Sequence, residues 1–180
     1  MPMLPRMLLT TLALLLTLGA GCSGEAEKSA PAAAELDPCS LVTLAEAEAA
    51  LGQAVQPPET RKTNNPLGQA ICFYATAGEH KLRFVQLSLV RTQGMTAQMR
   101  QQGYTAARLF QDTKALVENP QEVAGLGQAA FFGGSGLKAG AGLHVLQGDA
   151  YLTITVAGSD GEHDLAQAKL LAAKALSRLK

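Results

Sequence analysis

The hydrophobic pattern changes character three times along the chain. Met7 to Leu18 is apolar except for Thr10, Thr11 and Thr17, with Arg6 just ahead of it. Such a run is too short to span a bilayer, which takes about 20 apolar residues. A basic start followed by a short apolar core is the layout of a secretory signal. Beyond Cys22, the fourteen residues SGEAEKSAPAAAEL show no apolar periodicity until Leu36. They read as a disordered linker, spanning roughly 20 Å as a flexible coil. The folded part is expected to start near Asp37.

From there, apolar periodicity predicts alternating helices and strands. Thr43 and Glu46 form a capping box, and Leu44, Ala47 and Leu51 share one face of a helix that Gly52 can close. Pro57 to Pro66 is polar, carries the turn signal Asn64-Asn65-Pro66, and reads as loop. Ile71 to Ala75 and Lys81 to Thr92 are β-rich, and the Gly78-Glu79-His80 connection makes them a hairpin. Met95, Met99, Ala106, Ala107 and Phe110 recur at helical spacing, with Gly103 as the weak point. Asp112 to Gly125 carries no clear pattern, and Asn119-Pro120 punctuates it.

Gln128 to Phe132 reads as a strand. Leu143 to Gln147 and Tyr151 to Val156 flank Gly148-Asp149, a hairpin signal of type II′ or similar. In the second of these strands Leu152, Ile154 and Val156 alternate with Tyr151, Thr153 and Thr155, giving one buried face and one wetter face. Asp164 to Leu179 is a final helix with Leu165, Ala168, Ala172, Ala175 and Leu179 in a stripe. The expected class is therefore α+β: an antiparallel sheet of about five strands, helices packed mainly on one face, and one disulfide. The tetrapeptide LGQA occurs at Leu51, Leu67 and Leu126 at unequal intervals, so it marks a reused local solution rather than a repeat period.

Charge and aromatic content both argue against nucleic acid as a partner. Lys+Arg 15 against Asp+Glu 15 leaves no net charge, and no long single-sign run exists, so no nucleic-acid footprint is expected. The absence of Trp and the 4% aromatic content also argue against stacking platforms for single strands.

The three cysteines separate by context. Gly19-Ala20-Gly21-Cys22 resembles the lipobox of bacterial lipoproteins, with Gly19 where that motif usually has Leu and Leu18 one place early. The resemblance implies cleavage after Gly21 and acylation of Cys22, several chains on one cysteine giving firm membrane anchoring. The alternative is an ordinary signal peptide that leaves Cys22 a free thiol. Cys39 and Cys72 then form an even remainder in an exported chain, best read as one disulfide. No C-x-x-C redox pair is present, and His80, His144 and His163 show no zinc-ligand spacing with either cysteine. Residues 1–21 are thus expected to be a lipoprotein signal, 22–36 a lipidated cysteine and tether, and 37–180 a single envelope domain.

Catalytic motifs fail on inspection. In GGSGLKAGAG, residues 133–142, Lys138 is followed by Ala139 rather than Ser or Thr, and Leu137 occupies the last glycine position of a nucleophile elbow. The stretch reads as a hairpin loop. Asp160, Glu162 and Asp164 suit the positive end of the last helix and lack EF-hand spacing. No catalytic, cofactor-binding or metal-binding residue is assigned, and no cofactor is expected.

The stretch DPCSLVTLAEAEAALG, with Cys72 later, resembles a family of uncharacterised, mainly actinobacterial lipoproteins grouped as a domain of unknown function. The matching positions are Asp37, Pro38, Cys39, Leu41, Thr43, Glu46, Leu51, Gly52 and Cys72. VAGLGQAAFF and LHVLQGDAYLTITV are similar to the family's second half. The resemblance implies a secreted, disulfide-bonded α+β domain and supplies no activity. The expectation is a lipid-anchored, non-enzymatic binding or sensor domain on the outer face of the plasma membrane, or on the outer membrane of a diderm. Its partners would be the membrane, through the lipid, and an envelope protein or small ligand. The alternatives are a hydrolase assembled from Ser135, His144 and Asp149, and a carrier with an apolar pocket lined by Met95, Met99 and Phe110.

Overall fold

Seven antiparallel strands form one sheet in the order β1-β2-β3-β7-β6-β5-β4. The computed structural model describes residues 36–77, 83–134, 141–158 and 161–179, and the expected signal, Cys22, residues 23–35 of the expected tether, the 78–80 connection, Lys138, Ser135 and Asp160 lie outside them. The strands are β1 (Glu59–Lys62), β2 (Ala70–Ala75), β3 (Phe84–Arg91), β4 (Gln121–Glu122), β5 (Ala129–Gly133), β6 (Gly142–Gln147) and β7 (Ala150–Ala157). The helices are α1 (Leu44–Leu51), α2 (Ala97–Gln101), α3 (Ala106–Leu116) and α4 (Gly161–Arg178).

Local chemistry accounts for most of these boundaries. Thr43 caps α1 with a reciprocal bond to Glu46, and Gly52 closes it at φ 66°. The β6–β7 turn has a positive φ at Gly148 (55°) but not at Asp149, the pattern of a type II′ turn. The glycine of every LGQA copy is left-handed, at φ 66°, 62° and 58° for Gly52, Gly68 and Gly127. The Met95–Phe110 stretch is not one helix: it breaks at Gly103 (φ 78°), Thr96 caps α2, and Thr105 caps α3.

The sheet has seven strands rather than five. The additional two are its edges, β1 inside the expected loop and β4 inside the unpatterned stretch. Every residue of both is exposed, so neither has an apolar face to betray it. Charged, short edges of this kind resist pairing with other chains.

Strand alternation divides the core in two. On one face Leu87, Leu89, Leu143, Val145, Leu152 and Ile154 are buried beneath α1 and α4 through Ala47, Leu51, Leu171 and Ala172. On the other, Phe110 of α3 meets Phe131 and Tyr151 edge-on, with centroids 5.1 and 5.8 Å apart. The helices therefore occupy both faces rather than mainly one. The cause is visible in β7, whose wetter face begins with Tyr151, a ring large enough to seat a helix.

The Cys39–Cys72 disulfide ties the turn at Pro38–Ser40 to β2, with Cα atoms 5.0 Å apart. Asp37 accepts the Cys39 N–H at 2.9 Å, and Thr60 of β1 donates to Asp37 at 3.0 Å. The fully buried Tyr74 donates its hydroxyl to the Val42 carbonyl, and burial, chiefly, pushes its phenol up to about 12.

Candidate functional site

The α3 face of the sheet holds a row of side chains at one level of the strands. Register places Ser88 of β3 opposite Thr153 of β7, Thr153 opposite His144 of β6, and His144 opposite Phe131 of β5. Opposed residues on one face bring their Cβ atoms to within about 5 Å. A cleft of about 220 Å³ opens over this row. Leu67, Val90 and Leu109 supply its apolar walls, while Gln69, Ser88, Thr113, Tyr151 and Thr153 supply its polar ones. No charged side chain lines it.

Its volume lies below the roughly 300–1,000 Å³ usual for drug-sized ligands, so the space suits a single ring or a short chain. Gln69 reaches the cleft because the preceding loop runs against the Thr92–Gly94 turn. An added Cβ at Gly68 would lie 2.1 Å from the Gly94 carbonyl oxygen, so only glycine permits that backbone approach.

His144 sets the electrostatics beside the cleft. It is 8% exposed and stacked on Phe131, with centroids 4.4 Å apart and planes 8° from parallel. Its Nε2 lies 3.2 Å from the Gly133 carbonyl oxygen, which can only accept, so Nε2 carries the hydrogen. Nδ1 is then the acceptor for the Tyr151 hydroxyl at 2.7 Å. Burial pushes the imidazole down, opposed by the Gly133 carbonyl, and it pushes the Tyr151 phenol up. Both rings are therefore neutral at ordinary pH.

Of the groups expected for a dispersed hydrolase, His144 and Asp149 are each engaged with other partners. His144 has both ring nitrogens engaged within the fold. Asp149 sits at the β6–β7 turn, 3.8 Å from Arg91 Nε and 3.5 Å from the Gln93 N–H nitrogen. Ser135 lies outside the described residues. Nor do Met95, Met99 and Phe110 line the cleft: Met95 and Phe110 are buried packing residues. Among the described residues no three His, Cys, Asp or Glu side chains converge on a point, and no helix is long and apolar enough to cross a membrane.

The sequence did carry a trace of this site. Tyr151 and Thr153 lie on the wetter face of β7, and Ser88 interrupts the apolar run of β3. Gln69 and Thr113 had no signal, because both are placed by loops and helix packing. Comparison with known proteins finds no matching family model, no matching curated protein and no matching solved structure.

Proposed function

We propose that this chain is a lipid-anchored protein of the bacterial cell envelope whose domain binds a small ligand and carries out no chemistry of its own. Cys22 is the lipid attachment point, residues 23–36 are the tether, and the α3-side cleft is the binding site. The Cys39–Cys72 disulfide supports an exported life, since such bonds persist in oxidising compartments. The resemblance of the Asp37-Pro38-Cys39 start to uncharacterised actinobacterial lipoproteins supports the same address.

The observation that carries the binding reading is the wiring of His144. A hydroxyl nucleophile needs an imidazole whose second nitrogen is held by an orienting group, usually a carboxylate. Here the hydroxyl is a phenol whose ionisation burial opposes, and the second nitrogen is spent on a backbone carbonyl. Such a pair fixes geometry and leaves the cleft a neutral, preorganised surface.

Two measurements test this. Cell fractionation of a Cys22→Ala variant should move the protein out of the membrane fraction, and an unchanged membrane share overturns the anchor. A photoreactive benzoylphenylalanine at Leu109, in the cleft wall, should acquire a discrete small-mass adduct on irradiation in the native envelope. The same probe at Leu116, 85% exposed, should not. Identical adducts, or none, at the two positions overturn the cleft as a binding site.

A further inference from the structure

Backbone groups fix the direction of the hydrogen bonds on each side of the cleft, from Asn65 to Ser88 and from His144 to Tyr151. On the β2–β3 side, the N–H groups of Leu67 and Gln69 donate to Asn65 Oδ1 at 3.0 and 3.4 Å. Asn65 must then turn its Nδ2 to Gln69 Oε1, 3.1 Å away, and Gln69 Nε2 donates to Ser88 Oγ at 2.6 Å. The Ser88 oxygen has accepted, and among the described residues its own hydrogen meets no acceptor. Ser88 is 8% exposed and lines the cleft, so this hydrogen is available to whatever enters it.

The opposite wall has the reverse polarity. The Tyr151 hydrogen is committed to His144 Nδ1, so the phenol oxygen can only accept, and the Thr153 hydroxyl lies 3.4 Å from the same Nδ1. With its hydrogen turned towards Nδ1, Thr153 presents lone pairs to the cleft beside those of the Tyr151 oxygen. Ser88 and Thr153 are directly opposed in the β3–β7 register. The cleft thus offers one buried donor facing two acceptors, between apolar walls.

We propose that the cleft binds a small neutral polyol, one hydroxyl accepting from Ser88 while neighbouring hydroxyls donate to Thr153 and Tyr151. This rests on the binding reading above and names its ligand class. A carboxylate only accepts and an ammonium only donates, and either would bring an unpaired charge into a cleft without a countercharge. A polyol supplies acceptor and donors together, and its C–H faces lie against Leu67 and Leu109.

The test uses the intact purified protein, followed by amide chemical shifts. Glycerol, D-glucose and myo-inositol are the neutral probes, and D-glucuronate and D-glucosamine the charged controls. At least one neutral polyol should give saturable shifts at Ser88, Thr113 and Thr153, with both charged controls weaker by at least about tenfold. Ser88→Ala and the isosteric Thr153→Val should each weaken binding by about fivefold, the share of one hydrogen bond. Thr153→Val keeps the β-branched shape of the strand residue, so it reads the contact even if Ser88→Ala perturbs its own strand. No saturable shift with any of the three, or shifts unaltered by both substitutions, overturns the proposal. A Leu109 photoadduct combined with no polyol shift overturns the ligand class and leaves the binding reading standing. The absence of both overturns the two together.

Discussion

Substituting Glu46→Gln breaks the ion pair that joins the two ends of the folded chain. Arg178, in the last turn of α4, grips Glu46 with two bonds of 2.7 and 2.8 Å and donates to the Leu41 carbonyl at 2.8 Å. Glu46 also accepts the Thr43 N–H at 2.9 Å. The Arg178 hydrogen bonds, chiefly, hold the carboxyl down at about 2, against an ordinary 4.5. Because the folded value is the lower one, the stabilisation is fully present above 4.5 and is lost as the pH falls through about 2. Unscreened, that difference corresponds to at most about 3 kcal/mol. The Glu46 side chain keeps 22% of its surface exposed and Arg178 keeps 34%, so solvent reduces the effect to about 1–2 kcal/mol.

Glutamine retains an oxygen for the Thr43 N–H and Arg178 Nη1, and loses the charge together with the acceptor for Arg178 Nη2. The variant should therefore unfold about 2–8 °C below the parent at neutral pH, given about 2–4 °C per kcal/mol for a domain of this size. Urea unfolding by circular dichroism, repeated between neutral pH and pH 2, should show the two stabilities converging as the acid limit is approached. A gap that stays constant across that range refutes the reasoning, because it would then come from capping or packing rather than from an ion pair.

Removing the Cys39–Cys72 bond by a double Cys→Ser substitution should cost about 3–4 kcal/mol, from the loop entropy of a 33-residue separation. Equal urea midpoints for the parent with and without reductant would argue against it. His144→Phe should preserve the stack on Phe131 but strand the Tyr151 hydroxyl and the Gly133 carbonyl, costing about 1–3 kcal/mol. The parent imidazole is pushed below 6.5, so its stabilisation is present above 6.5 and declines as the pH falls below it. The phenylalanine variant should lack that decline, and a parallel pH profile for the two proteins would contradict the assignment.

Local chemistry was legible from residue order because its causes lie within a few positions. The Thr43–Glu46 capping box, the left-handed Gly52, the Gly148-Asp149 turn and the alternation along β7 each involve neighbours in the chain. The pairing of Cys39 with Cys72 was readable for a different reason: with Cys22 read as a lipid site, the two remaining cysteines account for each other. Edge strands β1 and β4 escaped because an exposed strand has no buried face and is defined only by the neighbour it pairs with.

Tertiary structure alone decided the rest. It set α3 on the face opposite α1 and α4, because burial of Phe110 on Tyr151 and Phe131 depends on which strands lie side by side. It gave Glu46 a second partner 132 residues away, turning a helix cap into a clamp. It also built the cleft, by laying β3 against β7 so that Ser88 faces Thr153. Each of these hydroxyls is unremarkable in the chain. Their donor and acceptor senses are fixed only when hydrogen bonds from Asn65 and from Gly133 run inward from distant backbone groups. Sequence determined where the chain turns and which faces are apolar; the fold determined which polar atoms were left without partners, because that depends on every neighbour at once.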